Sequence, residues 1–117
     1  MSVLDQRFSR FNRLTKPSDF TAVFNSSKRL ADGNFIILYR PNGLGVARLG
    51  FAISRKNVHL ASTRNRLKRI IREDFRRRKD DLKGLDIVIV AKRGVNTVNH
   101  SIIARSLSIQ WKKLKSA

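Results

Sequence analysis

The segment Arg64-Asn65-Arg66-Leu67-Lys68-Arg69-Ile70-Ile71-Arg72-Glu73 concentrates the side chains best suited to chemistry. On a helix each residue advances about 100°, and at that spacing the segment divides by face. Leu67, Ile70, Ile71 and Phe75 fall within about 140° of arc and form a packing face. Arg64, Asn65, Lys68, Arg69, Arg72 and Arg76 fill the next 140° or so. Arg66, Glu73 and Arg77 lie beyond, on the far flank. Residues 62–79 hold nine bases and only two acids. Helix faces that meet solvent mix signs to gain i, i+4 pairs, so this one carries a repulsion that an external polyanion would offset. The planar arginine fork meets two phosphate oxygens at once, and Asn65 can both donate and accept, which suits a ribose or base edge. Arg64, Asn65, Arg66, Lys68, Arg69 and Arg72 are therefore candidate nucleic-acid ligands.

Bond-breaking chemistry is poorly served by contrast. A protein nuclease needs a general acid and base, or carboxylates that hold metal ions. The two histidines, His59 and His100, lie far apart in the chain and could act together only if the fold joined them. Asp80 and Asp81 adjoin among bases and read as a solvated turn. Glu73 and Asp74 point about 100° apart on a helix, a poor metal pair. Asp86 stands alone. The expectation is that no catalytic residue and no metal ligand lies on this chain.

Composition bounds the setting. The 117 residues carry a formal charge of +18, and 41 % of them are hydrophobic. That is enough apolar material to exclude wholesale disorder, and the length fits one core. So much positive charge on one small domain is self-repulsive and calls for a polyanionic partner. Absence of cysteine excludes disulfides, thiolate zinc sites and thiol catalysis. The longest apolar runs, Phe35 to Tyr39 and Ile87 to Ala91, are strand-sized, too short to cross a bilayer. No apolar block follows the N-terminal arginines, so a secretory signal is not expected. These features predict a single cytoplasmic domain over residues 1–117 with a nucleic acid as its partner, no membrane association and no obligatory protein partner; charge alone does not say which nucleic acid.

The elements that position these residues can be read along the chain. Residues 1–15 alternate bases with apolar residues and read as a basic extended arm. Thr15 to Asp19 opens a helix that ends near Ser26, with Pro17 in the first turn and Asp19 at the positive end of the dipole. Lys28 to Ala31 is a weak edge strand and Asp32-Gly33 a turn. Asn34 to Arg40 is a strand, and after Pro41-Asn42-Gly43 the segment Ala47 to Ser54 returns, predicting a hairpin. Ser62 or Thr63 would cap the basic helix, which runs to about Lys79. Leu85 to Ala91, the most apolar strand, should be central. A last helix starts near Asn99 and buries Ile103, Leu107, Trp111 and Leu114. The order is α-β-β-β-α-β-α, a single α+β domain.

Alternation in the returning strand defines a second candidate surface. Leu49, Phe51 and Ile53 point to one side, and Arg48, Gly50, Ala52 and Ser54 to the other, where small residues leave room for a ligand. Phe20 and Phe24 sit one helical turn apart and would wall that trough, with Lys56 at its rim; the same spacing also fits ordinary core. Single-stranded RNA stacks its bases on aromatic rings while cations track its phosphates. Arg7, Arg10, Arg13 and Lys16 of the arm would extend the groove. The trough and the basic helix are expected on different surfaces.

The set Arg64-Asn65-Arg66, Lys68-Arg69 and Arg72-Glu73 resembles the RNR signature of the bacterial ribonuclease P protein family. The resemblance extends over nearly the whole chain. It includes Arg13-Leu14, Pro17-Ser18-Asp19-Phe20, Val23-Phe24, Arg48-Leu49-Gly50-Phe51, Ser54-Arg55-Lys56, the strand Asp86 to Val90 and the closing helix with Trp111. Lys56 to Ala61 runs one residue longer than the commoner form of the family and lacks its glycine. The resemblance implies a sheet like that of the second domain of ribosomal protein S5, with a left-handed β-α-β crossover placing the basic helix. It also implies that a partner RNA with Mg²⁺, held mainly by that RNA, removes the 5′ leader of precursor tRNA. The protein would bind that RNA through Arg64, Asn65, Arg66, Lys68, Arg69 and Arg72. The resemblance favours the trough reading of the aromatics, with Phe20, Phe24, Arg48, Ser54, Lys56 and Arg13 on the leader. Two other classes remain open at this point: a structural RNA-binding protein of ribosomal type, and an autonomous ribonuclease working through His59 and His100.

Overall fold

Leu85–Ala91 reads Leu-Asp-Ile-Val-Ile-Val-Ala, β-branched and apolar on both faces, and such a strand is stable only with neighbours on each side. The structure, a computed structural model, describes residues 10–25, 28–95, 97 and 99–116. Its helices are α1 (Pro17–Asn25), α2 (Ala61–Arg78) and α3 (His100–Ser116). Its strands are β1 (Arg29–Ala31), β2 (Phe35–Pro41), β3 (Arg48–Ala52) and β4 (Leu85–Ala91), in the sheet order β1-β2-β4-β3. The α+β order and the central position of the Leu85–Ala91 strand are as the sequence predicts.

The predicted hairpin between Asn34–Arg40 and Ala47–Ser54 does not form. β2 pairs antiparallel with β4, from Phe35 opposite Ala91 to Pro41 opposite Leu85. β3 pairs parallel with the other edge of β4, from Arg48 opposite Asp86 to Ala52 opposite Val90. The most apolar strand takes the slot between them, and Ile87, Val88 and Ile89 lose all solvent exposure there. The loop after β2 is held to the turn before β4, since Asn42 N–H donates to the Gly84 carbonyl at 2.8 Å and Gly84 N–H to that of Val46 at 3.2 Å. Alternation in β3 foretold its two faces; it carried no information about its neighbour.

The sheet separates two layers of packing. On one face Phe35, Ile37, Leu49, Ile87 and Ile89 meet Leu67, Ile71 and Phe75 of α2 and Ile103, Leu107, Trp111 and Leu114 of α3. Trp111 meets Phe75 edge-on, with ring centroids 6.0 Å apart, and its indole N–H donates to Asp74. On the other face α1 packs Val23 against Val88 and Leu14, with Phe20, Leu38, Ala52 and Val90 around them.

Residues 10–15 lie along the outer edge of β3. Arg10–Asn12 forms a short 3-10 turn, which departs from the extended arm expected. Arg13 then bridges to Leu49 in parallel, and Leu14 N–H donates to the Leu49 carbonyl at 2.9 Å. This contact covers an edge that would otherwise present unpaired backbone groups. The remainder of the arm, including Arg7, lies outside the described residues.

The helix starts were only partly legible. Asn99 caps α3, its side-chain oxygen accepting from Ile102 N–H at 3.2 Å. For α2 the expected cap at Ser62 or Thr63 is overturned. The helix begins at Ala61 after Leu60, where the Arg64 N–H closes the first turn onto the Leu60 carbonyl at 3.0 Å, and as leucine has no polar side-chain atom the start has no side-chain cap. α2 ends at Arg78 and passes into a 3-10 turn, Lys79–Leu82. No helix among the described residues is long and apolar enough to cross a membrane.

One half-buried carboxylate ties the β1–β2 turn to α3. Asp32 accepts from the N–H groups of Asn34 and Phe35, both at 2.8 Å, and from the Ser106 hydroxyl. Burial alone would raise its pKa; the hydrogen bonds from Ser106, Phe35 and Asn34 outweigh it and hold the carboxyl below the ordinary 3.8. A lowered native pKa stabilises the fold fully above the unfolded value, and that contribution disappears as pH falls through the native one. Thermal unfolding of Asp32→Asn should therefore lie well below that of the parent chain at pH 7, and the gap should close as pH falls below the ordinary carboxylate range. A gap independent of pH would refute this assignment.

Candidate nucleic-acid interface

α2 is fixed by its apolar face. Leu67, Ile71 and Phe75 are fully buried, which leaves the predicted stripe outward, with Asn65 and Arg69 exposed and Arg64, Arg66, Lys68 and Arg72 half-buried. The cations are not equivalent. One terminal nitrogen of Arg64 donates to the carbonyls of Val58 and His59, both at 2.9 Å, and so closes the connector that leads into the helix. Arg66 donates to the Thr97 carbonyl ahead of α3. Arg76 pairs with Glu73 at 2.7 Å, and this hydrogen bond with its charge holds the Glu73 carboxyl below its usual pKa. Lys68, Arg69 and Arg72 form no ion pair with any described acid. The Arg72 guanidinium instead lies 5.8 Å from the centre of the Phe51 ring, within cation–π range.

The trough is built on Gly50. A Cβ at that position would lie 2.7 and 2.8 Å from two ring carbons of Phe20 and 3.2 Å from Leu14 Cβ. Phe20 thus sets two of its ring carbons close against β3 at Gly50, half-buried, part core and part wall. Phe24, one turn on, is 48 % exposed and so available to stack. Ser54 and Lys56 are exposed beyond the end of β3, where the Ser54 hydroxyl accepts from Asn57 N–H at 3.2 Å. Arg48 is differently placed from the expectation that it floors the trough as a leader ligand. Its Nε and one terminal nitrogen grip the two oxygens of Asp86 at 2.8 and 2.7 Å, and the other terminal nitrogen reaches Asp19 at 3.4 Å.

The two surfaces meet. A cavity of about 670 Å³ opens along β3, between the arm and Phe20 on one side and α2 on the other. Arg13, Leu14, Thr15 and Phe20 line its first wall, Leu49, Gly50 and Phe51 its floor, and Lys68, Arg69, Arg72, Glu73 and Arg76 its second wall. The expectation of separate surfaces is corrected: Arg13 and Phe20 share one groove with Lys68, Arg69 and Arg72. Arg64, Asn65, Arg66, Phe24, Arg48, Ser54 and Lys56 stand outside its lining. Thr15, Phe51 and Arg76 were missed as groove residues. The i+4 step from Arg72 to Arg76 signalled one of them, whereas Phe51 read as core.

The acids are dispersed among partners. Asp80 pairs with Lys83 at 3.8 Å and Asp81 with Lys115 at 3.6 Å, so these neighbours diverge. His59 and His100 are exposed on separate elements. Among the described residues no three acids or histidines come together as metal ligands.

Fold and site together define a small α+β protein that offers a polyanion a cationic groove with aromatic rings in it. The family model for ribonuclease P matches residues 8–115. The ribonuclease P protein component of Pseudomonas entomophila is 45 % identical over 113 residues, covering 96 % of this chain and 85 % of that one. That of Chromohalobacter salexigens is 40 % identical over 112 residues, covering 95 % and 88 %. A mutant RNase P protein of Staphylococcus aureus superposes with a TM-score of 0.83 at 28 % identity, covering 91 % of this chain and 90 % of that one. The RNase P protein of Thermotoga maritima gives 0.77 at 34 % identity, covering 86 % and 96 %. The chain belongs to the ribonuclease P protein family, and it is a protein subunit of that tRNA-processing ribonucleoprotein endonuclease.

Because Phe20 rests on a position with no room for Cβ, Gly50→Ala must shift the ring or the strand. The expected loss is about 1–3 kcal/mol of stability by denaturant unfolding, accompanied by a displaced Phe20. Unchanged stability with Phe20 in place would contradict this packing.

Proposed function

We propose that the α2 ridge docks this subunit onto the catalytic RNA of ribonuclease P, while the adjoining groove holds the 5′ leader of precursor tRNA. In this reading Asn65, Lys68, Arg69 and Arg72 meet phosphates and riboses of the catalytic RNA directly. Arg64 and Arg66 set the ridge and add their charge. Phe20, Phe24, Arg13, Ser54 and Lys56 serve the leader, with Arg48 behind them. The observation that carries the reading is the single groove joining Arg13 and Phe20 to Lys68, Arg69 and Arg72, cations without a described acid partner. RNA on both sides of the groove would neutralise its charge, the leader against Arg13 with its bases stacked on aromatic rings and the catalytic RNA against Lys68, Arg69 and Arg72. Such contacts position the RNA more than they read its sequence.

The donor set of the groove does not suit a divalent cation. Its charged side chains are bases, apart from Glu73, which is tied to Arg76. Mg²⁺ is thus assigned to RNA phosphates, and the protein aids it by screening repulsion between the two RNAs. The groups that break the phosphodiester lie on the RNA in this account. The subunit works in the cytoplasm, with the catalytic RNA and precursor tRNA as its partners and no obligatory protein partner.

Holoenzyme reconstituted with Phe24→Ala tests the leader contact, because Phe24 is exposed and its loss spares the core. Its affinity for precursor tRNA should fall about tenfold, as expected for one lost base–aromatic stack worth about 1–3 kcal/mol. Affinity for mature, leaderless tRNA should stay the same. Equal losses for both RNAs, or none for either, would sink the leader assignment.

A further inference from the structure

Row by row, β2, β4 and β3 present matched residues on the α1 face of the sheet. Register sets Arg40 opposite Asp86, and Asp86 opposite Arg48. The Asp86 carboxylate, with no solvent exposure, thus lies between two arginines. It accepts from Nε and one terminal nitrogen of Arg48 and from the Asn42 amide at 2.9 Å, and lies 3.6 Å from the Arg40 guanidinium. Burial pushes its pKa up, yet the hydrogen bonds from Arg48 and Asn42 and the charges of Arg48 and Arg40 outweigh that and keep it ionised. Arg48 then extends one nitrogen across to Asp19, in the first turn of α1. The residue after Asp19 is Phe20, and its ring lies on Gly50, two positions along β3 from Arg48.

We infer that Asp86 is a positioning residue for leader binding, acting through Arg48 and Asp19 to set where α1 holds Phe20 and Phe24 over the sheet. This rests on the leader reading proposed above. The geometry gives α1 two fixed points on β3: an ion pair at Asp19 and a ring-on-glycine contact at Phe20. Val23, buried against Val88 and Leu14, holds the far end of α1, so removing the ion pair frees the first turn and shifts the Phe20 ring most, with Phe24 turned on the same helix. Arg48 is held by an interior carboxylate and is thereby kept from a phosphate; its role is mechanical. A buried pair that loses one member leaves an uncompensated charge, so Asp86→Asn disturbs Arg48 more than removal of an exposed partner would.

The test uses reconstituted holoenzyme carrying Asp86→Asn, Asp19→Asn or both, with Phe24→Ala as a reference, and measures binding of precursor and of mature tRNA. Asp19→Asn alters only the far link of the chain and keeps the question open to experiment should Asp86→Asn fail to fold. Each single variant should weaken precursor binding by roughly five- to tenfold with mature tRNA unaffected. The double variant should cost no more than the larger single change, since both act through Arg48. If Phe24→Ala discriminates between the two RNAs and neither aspartate variant does, the positioning role is wrong while the leader groove stands. Additive losses, or equal losses for both RNAs, also overturn it. If Phe24→Ala itself fails to discriminate, the groove reading falls and this inference with it.

Discussion

Like charges held one helical turn apart along α2 are the constraint that the rest of this molecule accommodates. Each i, i+4 pair of like charge costs roughly 0.2–0.5 kcal/mol. Burial of a large apolar side chain returns about 1.5–3 kcal/mol, and Leu67, Ile71 and Phe75 are all fully buried against the sheet and α3. The apolar face therefore outweighs the repulsion, and the helix stays in place with its cations outward. Other cations are paired with acids of the chain itself. Arg48 and Arg40 flank Asp86, Arg76 holds Glu73, Lys83 meets Asp80, and Lys115 meets Asp81. Among the described residues the ridge of Lys68, Arg69 and Arg72 is left without such acids, and it lies on the groove wall.

Sheet order gives that ridge its location. Because β3 lies at the sheet edge and pairs with β4 in parallel, the chain must cross from one to the other, and α2 is the crossover. The helix accordingly runs beside β3, whose far edge is covered by Arg13 and Leu14. A cation-bearing helix and a cation-bearing arm thus bracket one strand, which has a glycine where Phe20 must lie close. The cleft between them follows from a pairing choice made by the most apolar strand.

Much of this was legible from residue pattern. Period-two alternation in β3 separated Leu49 and Phe51 from Gly50, and helical period separated Leu67 and Ile71 from Lys68 and Arg72. Pairing partners were not, because alternation specifies a face and says nothing of the neighbouring strand; the expected hairpin failed on that point. The duties of individual arginines were equally hidden. A guanidinium fork fits a carbonyl pair, a carboxylate or a phosphate alike. Arg64 finds carbonyls five and six residues back in the chain, whereas Arg48 finds an acid 38 residues ahead. Only the fold could distinguish those two from Lys68, Arg69 and Arg72.

The salt dependence of binding to the catalytic RNA measures the ridge most directly. Each phosphate neutralised on a duplex contributes about −0.9 to the slope of log K against log salt. Replacing Lys68, Arg69 and Arg72 together by Ala removes charge from the outward face and spares the buried one. The account predicts a slope shallower by about two to three units, together with weaker assembly at low salt. A slope identical to that of the parent chain, with the variant folded, would contradict it.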